Sequence, residues 1–229
     1  MKKQVIILLG PPGAGKGTQA ELLSDKLSLY YFETSKILEQ EFKNPSEESI
    51  EIDGEKFDVS NEKKLWEDGI LCSPPFVTYL VMERVKKLAA EGESLVLAGS
   101  PRTLYEGERI TPLLKELYGE ENINVFLIDI SAEQTIFRNT HRRICELMRH
   151  PVLYNKETEN LKICPLDGSK LIRRKGLDDP ETIKIRLKEY RERTFPLIEL
   201  FGKQGIEVNK INGEQSVSDV HKEILKVIR

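Results

Sequence analysis

The chain has 229 residues, 39% of them hydrophobic and 32% charged, with a formal net charge of -3. That composition fits a soluble globular protein with a substantial core and excludes the broad basic field of a non-specific nucleic-acid binder. Three cysteines do not make a disulfide framework and favour a reducing compartment, read as the cytoplasm. No apolar run approaches the roughly 18 residues of a membrane helix, and the run that follows Met1-Lys2-Lys3 is too short for a signal peptide.

Short apolar runs alternate with longer stretches of helical period, the pattern of an α/β protein with a parallel sheet between helices. In chain order the spacing predicts a strand at 5–9, a helix at 16–27, a strand at 29–32 and a helix at 35–42. There follow a helix at 74–90, a strand at 94–98, a helix at 104–118, a strand at 124–130 and a helix at 132–141. A long helix at 180–203, a strand at 206–211 and a helix at 217–228 complete the series. Two segments break the alternation. Around Asp53-Gly54, "IEIDGEKFDV" reads as a hairpin, and "NEKKLWEDG" after it as a short helix ended by Gly69. Residues 143–177 carry two cysteines and many basic residues, with little helical period, and read as a small β-rich insertion.

The first strand runs into "GPPGAGKGTQA" and then into a helix, the setting that identifies a phosphate-binding P-loop. Its glycines let backbone N–H groups turn inward on phosphate oxygens. The helix N-terminus adds partial positive charge, and Lys16 adds a point charge. Gly17 stands between Lys16 and Thr18, where the ordinary pattern has the hydroxyl residue directly after the lysine.

This stretch resembles the P-loop of nucleoside monophosphate kinases, and of adenylate kinases in particular. The resemblance extends through "ETSKIL", "GILCSPPFVTYLV", "SPRT", "HRRIC", "DDPETIKIRLKEY" and "INGEQSV". It implies a P-loop fold with a five-stranded parallel core and two mobile insertions. On that reading residues 1–33, 71–142 and 178–229 form the core, 34–70 cover the monophosphate and 143–177 form a lid. The implied reaction moves the γ-phosphoryl of ATP, carried with Mg²⁺, to AMP, and the implied state is a monomer.

The resemblance also assigns residues. Gly13, Ala14, Gly15, Lys16, Gly17, Thr18, Arg138 and Lys210 fall at the ATP site, and Thr34, Lys36, Arg102 and Glu106 at the AMP site. Lys16, Arg102, Arg142 and Arg186 carry the catalytic charges. Such a set suits phosphoryl transfer, which needs alignment and charge neutralisation more than covalent help. Arg138 and Arg142 are four apart on a helix and share a face, and Asp178 and Asp179 match acidic residues of the lid hinge.

The departures bear on the acceptor and the metals. Glu39 replaces an arginine that contacts the acceptor phosphate, with Lys36 as a substitute that lacks a bidentate grip. Ala98 replaces the aspartate that organises the magnesium hydration shell, leaving Asp129 as the nearby carboxylate. Glu106 replaces a glutamine that reads the acceptor base. An ionised carboxylate only accepts, which alone would suit guanine, whereas Thr34 favours AMP. The alternatives are therefore a kinase for GMP, UMP or CMP, and a nucleotide-binding regulatory protein without catalysis. In the lid, Cys145, His150, Cys164 and Asp167 give C-x4-H followed by C-x2-D, where the resemblance implies a structural zinc site, the alternative being a lid held by hydrogen bonds with two buried cysteines. Met148 stands where a second cysteine is expected, so His150 or His141 would complete the set. Cys72 has no activating partner in the sequence, and Trp66 reads as core of the acceptor lobe.

Overall fold

The computed structural model describes residues 3–67, 70–149, 151–174, 176 and 178–228. Strand β1 (Val5–Leu9), buried along its whole length, is the centre of a five-stranded sheet. β5 (Leu95–Leu97) and β6 (Ile123–Asp129) flank it, β2 (Tyr30–Phe32) and β10 (Val208–Asn212) form the edges, and every pairing is parallel. A strand covered on both faces must be apolar at every position, which explains the unbroken run VIILL.

Side chains alternate between the faces. Val5, Ile7 and Leu9 point into a core with α4 (Pro74–Ala90), α5 (Leu104–Tyr118) and α8 (Leu197–Lys203). Ile6 and Leu8 point the other way, against α1 (Lys16–Leu27) and α9 (Val217–Val227). Fully burying one such side chain contributes about 1.5–3 kcal/mol, so these two layers fix where the sheet's C-terminal edge lies. β1 leads into the P-loop at that edge, and β5 and β6 end beside it. Ligands of open α/β sheets bind along this edge, where the connections of neighbouring strands diverge.

Two smaller sheets stand outside this core. Strands β3 (Ser49–Ile52) and β4 (Glu55–Asp58) form the hairpin expected around Asp53-Gly54, with φ of 51° and 81° at the turn. With α2 (Thr34–Lys43) and α3 (Val59–Glu67) the hairpin builds a separate cluster of Leu38, Phe42, Ile50, Phe57 and Phe76, against which Trp66 packs. β7 (Arg143–Cys145), β8 (Pro151–Val152) and β9 (Leu171–Ile172) make a three-stranded antiparallel sheet inside the lid segment. Gly69, read as the end of α3, lies outside the described residues. Among the described residues no helix is long and apolar enough to cross a membrane.

One expected element is subdivided. The helix read at 180–203 is α7 (Pro180–Glu189), a π-helical turn at Tyr190–Thr194, and α8. Pro196 has no N–H to donate and so interrupts the helical hydrogen-bond ladder, although the backbone stays helical through Phe195. The chain widens ahead of it, and Phe195 N–H bonds to the Tyr190 carbonyl at 2.8 Å.

Candidate active site

The P-loop is a left-handed turn that few residues besides glycine can make. Gly10, Gly13 and Gly15 have φ of 146°, 84° and 91°. A Cβ on Gly10 would stand 2.3 Å from the Ile128 carbonyl at the end of β6. The loop thus closes against the neighbouring strand, and Gly15 caps α1 without any side chain of its own. Lys16 leads the helix and lies against the loop, donating to the carbonyls of Gly10 at 2.6 Å and Pro11 at 3.0 Å.

The surroundings of Lys16 are cationic. Burial first, and then Arg102, Arg186 and Arg142, pull its pKa down to about 7. Arg142 is lowered to about 10 by burial and by Arg174, opposed by Asp178. Arg186 is lowered to about 10 by burial and then by Arg174, Arg142 and Arg102. Four arginines and a lysine from P-loop, β5–α5 loop, α6 (Ala132–Thr140) and its C-terminal edge, lid and α7 thus converge on one volume. That arrangement is costly for the protein alone and favourable for a polyphosphate. Asp178 is the buried counter-charge: Arg174 donates to it through Nε at 3.0 Å and Nη2 at 2.6 Å, and Arg142 stands at 3.9 Å. Arg174 escaped the sequence reading because the lid's hinge pattern is shortened there. Its i,i+4 spacing to Asp178 was the available signal.

Arg138 ties α6 to the P-loop, with Nη2 2.9 Å from the Gly213 carbonyl and Nη1 3.5 Å from that of Gly13. Lys210, by contrast, is exposed and paired with Asp129 at 2.8 Å. Ala98 packs with the core beside α1 and contributes no polar group. The cationic ring suits nucleotide phosphates, and a Mg²⁺ ion carried on them would find its oxygen donors in Thr18 and in Asp129, a partly exposed carboxylate that Lys210 pairs.

Across from this ring a pocket is lined by Thr34, Leu38, Trp66, Val77, Arg102 and Glu106, among others. A Cβ on Gly99 would stand 3.2 Å from Arg102 Nη2 and 3.6 Å from Thr34 Oγ1, so the guanidinium lies across the glycine beside the threonine. Lys36 does not join them. It is ion-paired with Glu33 and 75% exposed, and an extended lysine held by a neighbouring carboxylate has little reach toward the pocket. Glu39 is exposed as well.

Glu106 is buried, and its carboxylate is engaged by its own loop. Ser100 Oγ donates at 3.0 Å, the Arg102 backbone N–H at 3.1 Å and Thr103 Oγ1 at 3.2 Å. Thr103 in turn accepts from the Glu106 N–H at 3.3 Å. Thr103 thus caps α5 through its side chain, and the Glu106 carboxylate reaches back past the cap residue to the N–H of Arg102. Burial raises the Glu106 pKa above the carboxylate range, against the lowering pull of the Arg102 N–H and side chain.

In the lid, ligand atoms of Cys145, Cys164 and Asp167 lie within 4.8 Å of one another, both cysteines buried. Two soft sulfurs and a carboxylate at that separation fit zinc. Hydrogen bonds from Cys145, Ser169 and Cys164 hold the Asp167 carboxyl well below its ordinary range. His141 is not part of the group. Its ring packs at 4.4 Å on Phe137 and 4.5 Å on Tyr154, and Nδ1 is 2.9 Å from the Phe137 carbonyl. His150 lies outside the described residues. Cys72 is occupied too, donating to the Glu62 carbonyl at 3.5 Å, with burial pushing its thiol up to about 11.

A family model described as Adenylate kinase matches residues 8–206. An adenylate kinase of Acetivibrio thermocellus is 33% identical over 228 residues, covering 97% of each chain. One from Petrotoga mobilis is 32% identical, covering 98% of this chain and 97% of the relative. One from Methanothrix thermoacetophila is 33% identical and covers 97% of both. With a P-loop at the edge of a five-stranded parallel sheet and the arginines gathered over it, the chain belongs to the adenylate kinase family.

Proposed function

We propose that this adenylate kinase transfers the γ-phosphoryl of Mg²⁺-ATP to AMP through the residues converging on Lys16. The carrying observation is that Arg102, Arg142 and Arg186 all bear on Lys16 at the P-loop, and Arg102 and Arg142 bear on Arg186 as well, which gathers these charges around one volume. ATP takes the P-loop backbone from Gly13 to Thr18, with Arg138 on its base side. AMP takes the apolar pocket, its base between Leu38, Trp66 and Val77 and its phosphate on Arg102 beside Thr34. The arginines then neutralise charge on the phosphoryl group as it moves in line. Thr18 and Asp129 would hold the Mg²⁺ that accompanies ATP, which would draw off part of that charge.

In this reading the core comprises residues 1–33, 71–142 and 178–229, while 34–70 close over AMP and 143–177 over ATP. Closure excludes water, which would otherwise compete as acceptor. In this reading the chain acts as a monomer in the cytoplasm. Cys145, Cys164 and Asp167 hold a structural Zn²⁺, with His150 as the histidine left to complete the set.

Glu106 gives no argument for guanine, because its oxygens are engaged by Ser100, Arg102 and Thr103. A coupled assay with Mg²⁺-ATP and each of AMP, GMP, UMP and CMP tests the assignment. Turnover with AMP supports it. Preference for another acceptor or silence with all four overturns it.

A further inference from the structure

A monophosphate dianion buried beside a base calls for more than one cation, and Arg102 supplies one. Lys36, from which the sequence would draw a second, is exposed and paired with Glu33, and Glu39 brings an exposed negative charge where an arginine was expected. The pocket has another cation on its wall. Arg193, on the π-helical turn, lines it together with Arg102 and Thr34. We propose that Arg193 binds the phosphate of AMP from the pocket side, together with Arg102.

The backbone supports this placement. The wider π turn sets Tyr190–Thr194 apart from the regular helix on either side, an irregularity often found at functional sites. It brings Thr194 to the Arg102 loop, where Thr194 Oγ1 donates to the Arg102 carbonyl at 2.8 Å. The residues carrying the two guanidinium groups are therefore held against each other by a hydrogen bond between their segments. Glu189, one turn back, orients Arg193 by accepting from Nη1 at 2.9 Å, and a guanidinium has further N–H donors for a phosphate. On the remaining walls Leu38, Trp66, Ile70 and Val77 are apolar. A phosphate in this pocket thus has the Arg102–Arg193 end to occupy, and the base has the rest.

The assignment rests on AMP as acceptor. Its test is calorimetric binding of AMP and of adenosine to the full chain and to Arg193→Gln and Arg193→Lys, with steady-state KM for AMP and for ATP. The expected result is an AMP affinity about 10-fold or more weaker in Arg193→Gln, with adenosine binding and the KM for ATP unchanged. Arg193→Lys, which keeps the charge but loses the fork, falls between. Unchanged AMP affinity overturns the proposal, and so does an equal loss for AMP and adenosine, which would make Arg193 a support of the pocket. If the unaltered chain phosphorylates another monophosphate, the acceptor reading fails, and the same titrations with that monophosphate and its nucleoside decide the role of Arg193.

Discussion

The backbone N–H of Arg102 donates to the Glu106 carboxylate at 3.1 Å, so the arginine that lies beside Thr34 on the pocket wall is positioned by the helix cap behind it. Burial raises the Glu106 pKa, and the sign of the consequence follows. Between the ordinary carboxylate range and the raised value the folded state binds more protons than the unfolded chain, so stability falls as pH rises through that window. Glu106→Gln removes the titration and keeps the shape. Its thermal stability should be flat over the window in which the parent declines, measured by calorimetry across pH.

Lys16 gives the opposite slope. With its pKa drawn down to about 7 in the nucleotide-free protein, the unfolded chain binds the extra proton above that pH. Stability therefore rises with pH from about 7 toward the ordinary lysine value. Phosphates restore the charge, so ATP binding at pH 8 should take up about one proton. Titrations in buffers of differing ionisation enthalpy measure this uptake, and Lys16→Met should abolish it.

Lys16→Ala and Arg102→Ala each delete a charge from the transfer site. Each should slow turnover by about 10³-fold or more in the coupled assay, with folding intact by circular dichroism. Near-parental rates in either variant would contradict the assigned roles.

Asp178 is the buried carboxylate that the structure pairs with Arg174 and sets near Arg142. Asp178→Asn leaves the cluster without that charge and should lower stability by about 3–5 kcal/mol. ADP should restore much of the loss by supplying phosphate charge in its place. Thermal melts of the variant with and without ADP check both halves.

The lid's cysteines and Asp167 should retain about one equivalent of zinc when the protein is purified without chelator. Cys164→Ser should lower both metal content and melting temperature. Metal analysis of the two proteins, side by side, is the measurement.

The sequence by itself determined the sheet, the P-loop and the hairpin, because each is written in local terms. An unbroken apolar run can only be a covered strand, positive φ calls for glycine, and Asp-Gly between alternating residues calls for a tight turn. The convergence of Lys16, Arg102, Arg142 and Arg186 was legible as well, through the resemblance of their flanking motifs. Other features depended on which residues meet. Arg174 joins the cluster through a hinge shortened in sequence, Lys36 is drawn outward by Glu33, and His141 is taken up by Phe137 and Tyr154. Glu106, matched in sequence to a base-reading glutamine, lines the pocket and also takes three hydrogen bonds from its own loop. Arg193 lay within an apparently regular helix, and only the widened turn before Pro196 carries it to the acceptor pocket. Periodicity and turn chemistry act over a few residues and can be read along the chain. The direction and partners of a charged side chain are set by segments distant in sequence, and the tertiary structure alone decides them.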